Sequence, residues 1–261
     1  MALGVTVLGS GSKGNSLVFH TESEAIVFDN GFSRKEFIRR LTEQGISTDI
    51  IKAIVVSHEH SDHIKGIRVL ADHLGIPTYC SRDTYRYLSA KKQIGKECVL
   101  FEPGTPFEIG GFSVEPFTVP HDAVQPVAFV SKHGEYKIGI ATDMGQVNKL
   151  AQQRLFGCDL LLFESNYDLD KLRNADRPIS LKRRIMGRHG HLDNTDAMEA
   201  LEFIITPKTK HLIMAHVSSD CNAYDLVEKL TSEQLAKIDR TDIVMAVAKQ
   251  DESLSPIWLE K

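Results

Sequence analysis

Short apolar runs rich in Val, Ile and Phe, closed by turn residues, alternate along the chain with stretches whose apolar positions recur at helical spacing. The runs "GVTVLG", "SLVFH", "AIVFDN", "AIVVSH", "FSVEPFTVPH", "VAFVSKHGEYKIGIATD", "DLLLFESN", "HLIMAH" and "DIVMAV" read as strands. Arg34 to Gln44, Ile67 to Leu74, Thr84 to Lys91, Val147 to Phe156, Thr195 to Ile205 and Ala223 to Leu230 read as helices. In "KHGEY", residues 132 to 136, a glycine between two β-rich runs predicts a hairpin, because Gly adopts positive φ without steric cost. Strands come in pairs early and in the middle and alternate with helices elsewhere. That order predicts an α/β fold of sheets covered by helices, and no repeat or Pro/Gly/Ser-rich linker divides it, so one domain over residues 1–261 is expected.

Composition leaves that picture unchanged. An apolar fraction of 42% with 25% charged residues supplies a core and excludes a disordered chain. The start, "MALGVTVLGSGSKGNS", shows no basic leader followed by a long apolar stretch, and no later segment has the length of a bilayer span. A cytoplasmic protein with no membrane partner is expected. The four cysteines are far apart in sequence with no CxxC pair, which fits reduced thiols without chemistry of their own.

Chemistry enters at the strand ends. His58 follows "AIVV", His121 follows "FTVP", Asp143 follows "IGIAT" and His216 follows "LIMA". A strand end is a rigid support, which suits a site of fixed geometry. Just beyond one of them, "HEHSDH" adds His60, Asp62 and His63. Neutral imidazole and carboxylate suit zinc, manganese or iron, whereas all-oxygen sets suit magnesium or calcium. A single catalytic zinc needs three protein ligands; seven candidates fit two divalent ions per chain sharing Asp143. Glu59 is expected to point into solvent. His20, His73, His133 and His211 lack such a setting and read as surface or helix-packing residues, and the Phe residues of "FEPGTPFEIGGF" as strand core.

The motif HxHxDH (His58, His60, Asp62, His63) followed by His121, Asp143 and His216 resembles the metallo-β-lactamase fold superfamily. The resemblance implies a four-layer αββα sandwich with a dinuclear site at one edge between the sheets. It implies His58, His60 and His121 on one ion, Asp62, His63 and His216 on the other, and Asp143 between them. Asp62 would also orient the nucleophile, a metal-bridging hydroxide. Asp29 matches an acid that supports the site from behind, although an acid after "IVF" can simply cap a turn. The segments "LGSGSKGNS", "VPHDAVQPVAF", "ATDMG", "LLFESNYD", "SLKRRIMGRHGHLDN" and "HVSSDCN" are similar to the YycJ/WalJ group of bacterial metallo-hydrolases, which implies a 5′ to 3′ exonuclease acting on DNA. Two positions depart from that group's pattern: Tyr167 stands where His is expected, and "HVSSDCN" replaces a sequence closer to HLSxENN.

A net charge of −4 gives no global attraction for nucleic acid, but Lys171 to His191 holds seven Lys or Arg against one acid, Asp176. Such a run is often a solvated helix face. In a nuclease it would hold phosphate: Arg183, Arg184, Arg188 and His189 are the candidate substrate contacts, and Ser12 and Asn15 of the Gly/Ser-rich loop would contact phosphate or shape the site. His191, which matches the group's GHL motif, is the candidate proton donor to the leaving oxygen. Two other readings of the donor set are a small-molecule hydrolase (thioesterase, lactonase or cyclic-nucleotide phosphodiesterase) and a non-catalytic metal-binding module.

Overall fold

A computed structural model describes residues 2–259. The apolar runs assemble as two stacked seven-stranded sheets. The first holds β1 (Leu3–Gly9), β2 (Ser16–His20), β3 (Ala25–Phe28), β4 (Ile51–Val55), β5 (Thr78–Ser81) and β6 (Cys98–Phe101). The second holds β7 (Phe107–Ile109), β8 (Phe112–Thr118), β9 (Val127–His133), β10 (Tyr136–Ala141), β11 (Leu160–Glu164), β12 (His211–Ala215) and β13 (Val244–Val247). A last strand, β14 (Ile257–Leu259), returns to the first sheet antiparallel to β1. Each sheet begins as an antiparallel meander and continues as parallel strands: β3 to β6 in the first, β10 to β13 in the second. The expected hairpin joins β9 to β10, with Gly134 at φ 57°.

Helices cover both outer faces. On the first sheet, α1 (Arg34–Glu43), α3 (Ile67–Leu74) and α4 (Arg82–Ala90) bury Phe37, Leu41, Ile67, Leu70 and Leu88; a one-turn helix, α2 (Ser61–Ile64), precedes α3. On the second, α5 (Lys149–Leu155), α8 (Asn194–Ile204) and α9 (Tyr224–Lys237) bury Leu155, Leu201 and Leu235. Between the sheets lie Val5, Phe19, Phe28, Phe112, Phe129 and Leu162 among others. The layers are therefore αββα. Strands covered on both faces need not alternate, and all seven residues of β1 are buried. The start of α8 is fixed by Asp193, whose side chain accepts the Asp196 N–H, a cap whose removal costs about 1 kcal/mol.

Several local expectations need correction. The helix from Ala223 runs on to Lys237, because Val227, Thr231, Gln234 and Leu235 continue a buried stripe. The basic segment holds two short helices, α6 (Leu169–Asn174) and α7 (Ile179–Ile185), and no residue of α7 is buried. His20 is buried on β2, with Thr6 Oγ1 3.0 Å from its Nε2, rather than a surface or helix-packing residue; His133 and His211 are half-buried on β9 and β12, and His73 is exposed on α3. Cys80 and Cys98, distant in sequence, meet across β5 and β6 with sulfurs 3.5 Å apart. Among the described residues, no helix is long and apolar enough to cross a membrane.

Candidate metal centre

The topology delivers polar groups to one edge. β3, β4, β8, β10, β11 and β12 all end there, because β8 and β10 flank the antiparallel β9 and the others run parallel within their sheets. Ligand sites in open α/β sheets form outside such carboxyl ends. Three of the residues that follow these ends have left-handed backbones: Asp29 (φ 57°), Asp143 (φ 58°) and His216 (φ 56°). For residues with a Cβ this conformation costs on the order of 1 kcal/mol each. It turns each side chain out of the strand direction and into the space between the sheets.

The donor atoms fall into two groups. Nδ1 of His60 lies 3.1 Å from Nε2 of His58 and 3.2 Å from Nε2 of His121. In the second group, Asp62 Oδ2 is 3.5 Å from His63 Nε2 and 3.6 Å from His216 Nε2. Asp143 reaches both: Oδ2 is 3.3 Å from His63 Nε2, and Oδ1 is 3.5 Å from His216 Nε2 and 3.8 Å from His121 Nε2. Ligand atoms about 2.0–2.2 Å from a tetrahedral ion stand about 3.3–3.6 Å apart, so both spacings fit divalent ions. Asp143 Oδ2 and His216 Nε2 are also buried without a hydrogen-bond partner, as groups reserved for a metal would be.

Supporting hydrogen bonds decide which ring nitrogen is free. His63 donates from Nδ1 to Asp29 Oδ2 (2.8 Å), and Asp29 also accepts the Ser57 backbone N–H (2.8 Å) and hydroxyl (2.6 Å). With its hydroxyl proton so committed, Ser57 Oγ accepts from His58 Nδ1 (2.9 Å). His121 donates from Nδ1 to the Gly190 carbonyl (3.0 Å), and His216 from Nδ1 to Glu164 Oε1 (2.9 Å). All four therefore present Nε2 inward. His60 is reversed, its Nε2 4.0 Å from Asp122 Oδ1.

The charges sort accordingly. Burial, with neighbouring imidazoles, pushes His58 well below the ordinary histidine range, and burial also lowers His121, leaving both neutral. Burial would lower His216 too, but Asp143, Asp62 and Glu164 overcome it and raise it to about 10. His63 is raised in the same way by Asp143, Asp62 and Asp29. The second group is thus rich in negative charge and favours positive charge in its midst, for which a proton and a metal ion would compete.

Glu164, at the end of β11, was not among the sequence candidates. It is fully buried, and its Oε1 accepts from both His216 and His191 Nδ1 (2.8 Å), while Oε2 accepts the backbone N–H groups of Met144 (3.0 Å) and Leu192 (3.3 Å). Burial would raise its carboxyl; the two imidazoles hold it at about 2. The signal was present in the sequence, an acid closing "DLLLFE" as the ligands close their own runs.

Other candidates divide. Ser12 and Arg184 line the cleft of ≈ 290 Å³ with His60, Asp62, Asp143 and His191. Arg183, Arg188 and His189 are exposed on the same segment but do not line that cleft, and Arg188 bonds Gln146 Oε1 (3.1 Å). Arg184 is ion-paired with Asp122. Asn15 is buried, donating from Nδ2 to Asp62 Oδ2 (3.2 Å), which makes it a prop of that carboxylate rather than an exposed contact. Glu59 is not solvated: it is buried and Oε1 accepts the Val124 N–H (2.9 Å), bracing the loop after His121. Tyr167 packs with Leu172 and Cys221 in a separate apolar cluster.

Comparison with known proteins agrees with this geometry. Residues 24–217 match the model of the beta-lactamase superfamily domain. The exodeoxyribonuclease YycJ of Bacillus anthracis is 35% identical over 239 residues, 90% of each chain, and the exodeoxyribonuclease WalJ of Streptococcus pneumoniae is 32% identical over 90% of this chain and 88% of its own. The solved metallo-β-lactamase fold protein YhfI of Bacillus subtilis superposes with a TM-score of 0.71 at 18% identity, over 97% of this chain and 99% of that one, a likeness of fold. The chain belongs to the metallo-β-lactamase superfamily and, within it, to the family of YycJ and WalJ.

Proposed function

We propose that this protein is a dinuclear metal-dependent phosphodiesterase, a DNA exonuclease that removes nucleotides from the 5′ end. The observation that carries the reading is the full set of seven donors, His58, His60, Asp62, His63, His121, Asp143 and His216, in a chain that matches two exodeoxyribonucleases over 90% of its length. His58, His60 and His121 would hold one ion and Asp62, His63 and His216 the other, with Asp143 available to both; zinc or manganese suits these ligands, and iron is compatible. Such a pair supplies a deprotonated water at neutral pH and neutralises the non-bridging phosphate oxygens.

The protein groups do the rest. Asp62, steadied by Asn15, faces the cleft and accepts a proton from the attacking water. His191, with Nδ1 tied to Glu164, has only Nε2 left for the cleft, and from there donates a proton to the leaving oxygen. Arg184 exchanges Asp122 for a substrate phosphate, which its planar guanidinium can hold through two parallel N–H donors.

The test uses metal-free protein reconstituted with Mn or Zn and oligonucleotides labelled at either end, single- and double-stranded, DNA and RNA. Nucleotides are expected from the 5′ end of DNA. Intact oligonucleotides under both metals, or Asp62→Ala matching the wild type, would sink the reading. Hydrolysis confined to thioesters, lactones or cyclic nucleotides would favour a small-molecule hydrolase.

A further inference from the structure

Beside the metal cleft lies a second cavity of ≈ 650 Å³, inside the range of small-molecule sites. The two meet along the chain: Ser12 and His216 line the cleft, and the residues that follow them, Lys13, Val217 and Ser218, line the cavity. None of the metal donors and none of the basic residues of α7 lines this space.

The cavity is built from fixed parts. Tyr224, the first residue of α9, lines it while packing against the core beneath the second sheet. The Tyr224 hydroxyl accepts the Gln250 backbone N–H (3.0 Å). Gln250, itself buried, accepts the Lys13 N–H on Oε1 (2.7 Å) and donates from Nε2 to the Gly14 carbonyl (2.9 Å). One glutamine thus ties the Gly/Ser-rich loop to the aromatic wall.

The charge of the lining selects the occupant. Lys13, Lys249, Asp225, Glu228 and Asp251 all line the cavity, and Lys249 is already paired with Glu252 (2.9 Å). Two cations against three acids do not suit a continuing phosphodiester chain. They suit the uncharged sugar and base of a terminal nucleoside with a 5′-hydroxyl, whose 3′-phosphate, the scissile one, stays in the cleft beyond Lys13.

We propose that this cavity receives the terminal nucleoside of a nucleic-acid substrate, its base stacked on Tyr224. The inference rests on the nucleic-acid reading of the neighbouring centre. It also gives that reading a reason for attack at chain ends, since a wall that repels phosphate stops the strand after one unit.

The experiment compares an oligonucleotide having an ordinary terminal nucleotide with one whose terminal nucleotide is abasic, cleaved by the metal-loaded wild type and by Tyr224→Leu. Loss of base stacking should lower wild-type kcat/KM roughly five- to hundredfold on the abasic end. Tyr224→Leu should show a similar loss on the ordinary end and no discrimination between the two. Ser219→Trp, an exposed residue of the lining, covers the case in which Tyr224→Leu does not fold: it should lower the ratio of oligonucleotide to bis(p-nitrophenyl) phosphate hydrolysis about tenfold or more. Wild-type cleavage of both ends at one rate, discrimination kept by Tyr224→Leu, or an unchanged ratio in Ser219→Trp overturns the cavity's role alone. A wild type that hydrolyses the small diester but no oligonucleotide overturns the nucleic-acid reading as well.

Discussion

Replacing Glu164 by Gln should cost more than its near-identical shape suggests. Its two oxygens meet four donors: His191 and His216 Nδ1–H on one side, the backbone N–H groups of Met144 and Leu192 on the other. A carboxylate satisfies all four. An amide in either orientation turns its own N–H₂ toward two of them. If it faces the imidazoles, two hydrogen bonds to a charged acceptor are lost, about 1.5–3 kcal/mol each, or about 3–6 kcal/mol together before relaxation. Metal affinity should then fall about 10- to 100-fold, the usual cost of losing a group that orients a ligand. Chelator competition on zinc-reconstituted protein measures this, with circular dichroism to verify the fold. The carboxyl is held at about 2, so its stabilisation is complete above the ordinary range near 4.5 and is lost only as pH falls toward 2. Affinity within twofold of wild type at pH 7 would show that Glu164 does not hold the two imidazoles in place.

Three further outcomes follow from particular residues. Asp143→Ala removes the carboxylate common to both donor groups, so native mass spectrometry of the zinc-loaded protein should show one ion or none; two ions would contradict a shared ligand. Arg184→Glu should weaken oligonucleotide binding and reduce its log–log salt slope by roughly 0.7, one phosphate contact to a single strand; an unchanged slope removes Arg184 from the phosphate path. Burial lowers His20 from 6.5 to about 4. Its contribution is therefore complete above pH 6.5, and the native state loses up to about 3 kcal/mol as pH falls from 6.5 to 4. His20→Gln should flatten that part of a urea-stability profile, and an identical acid slope would show that the group does not matter.

The centre was legible where one rule held: an apolar run followed by His or Asp. His58, His121, Asp143 and His216 all obey it, and the sheet topology then gathers residues up to 158 positions apart. Glu164 obeys it too, yet an acid after four apolar residues reads as easily as a strand's solvated exit. Its importance depends on two imidazoles 27 and 52 positions away. Glu59 was misplaced because burial of a polar side chain is a tertiary outcome that neither composition nor spacing carries, and Asn15, which could contact phosphate or shape the site, does the second. Strand β14 is three residues long, too short for a period to appear, and its pairing with β1 exists only once the sheet does. The second cavity was equally invisible, since its walls come from the Gly/Ser-rich loop, the turn after β12, α9 and the segment after β13.

Titrating Mn into metal-free protein while following nucleotide release from 5′-labelled DNA tests whether catalysis needs two ions. The rate should rise from zero and level off at two equivalents per chain. Release without added metal and in the presence of a chelator, saturation at a single equivalent, or no release at any ratio would contradict that requirement.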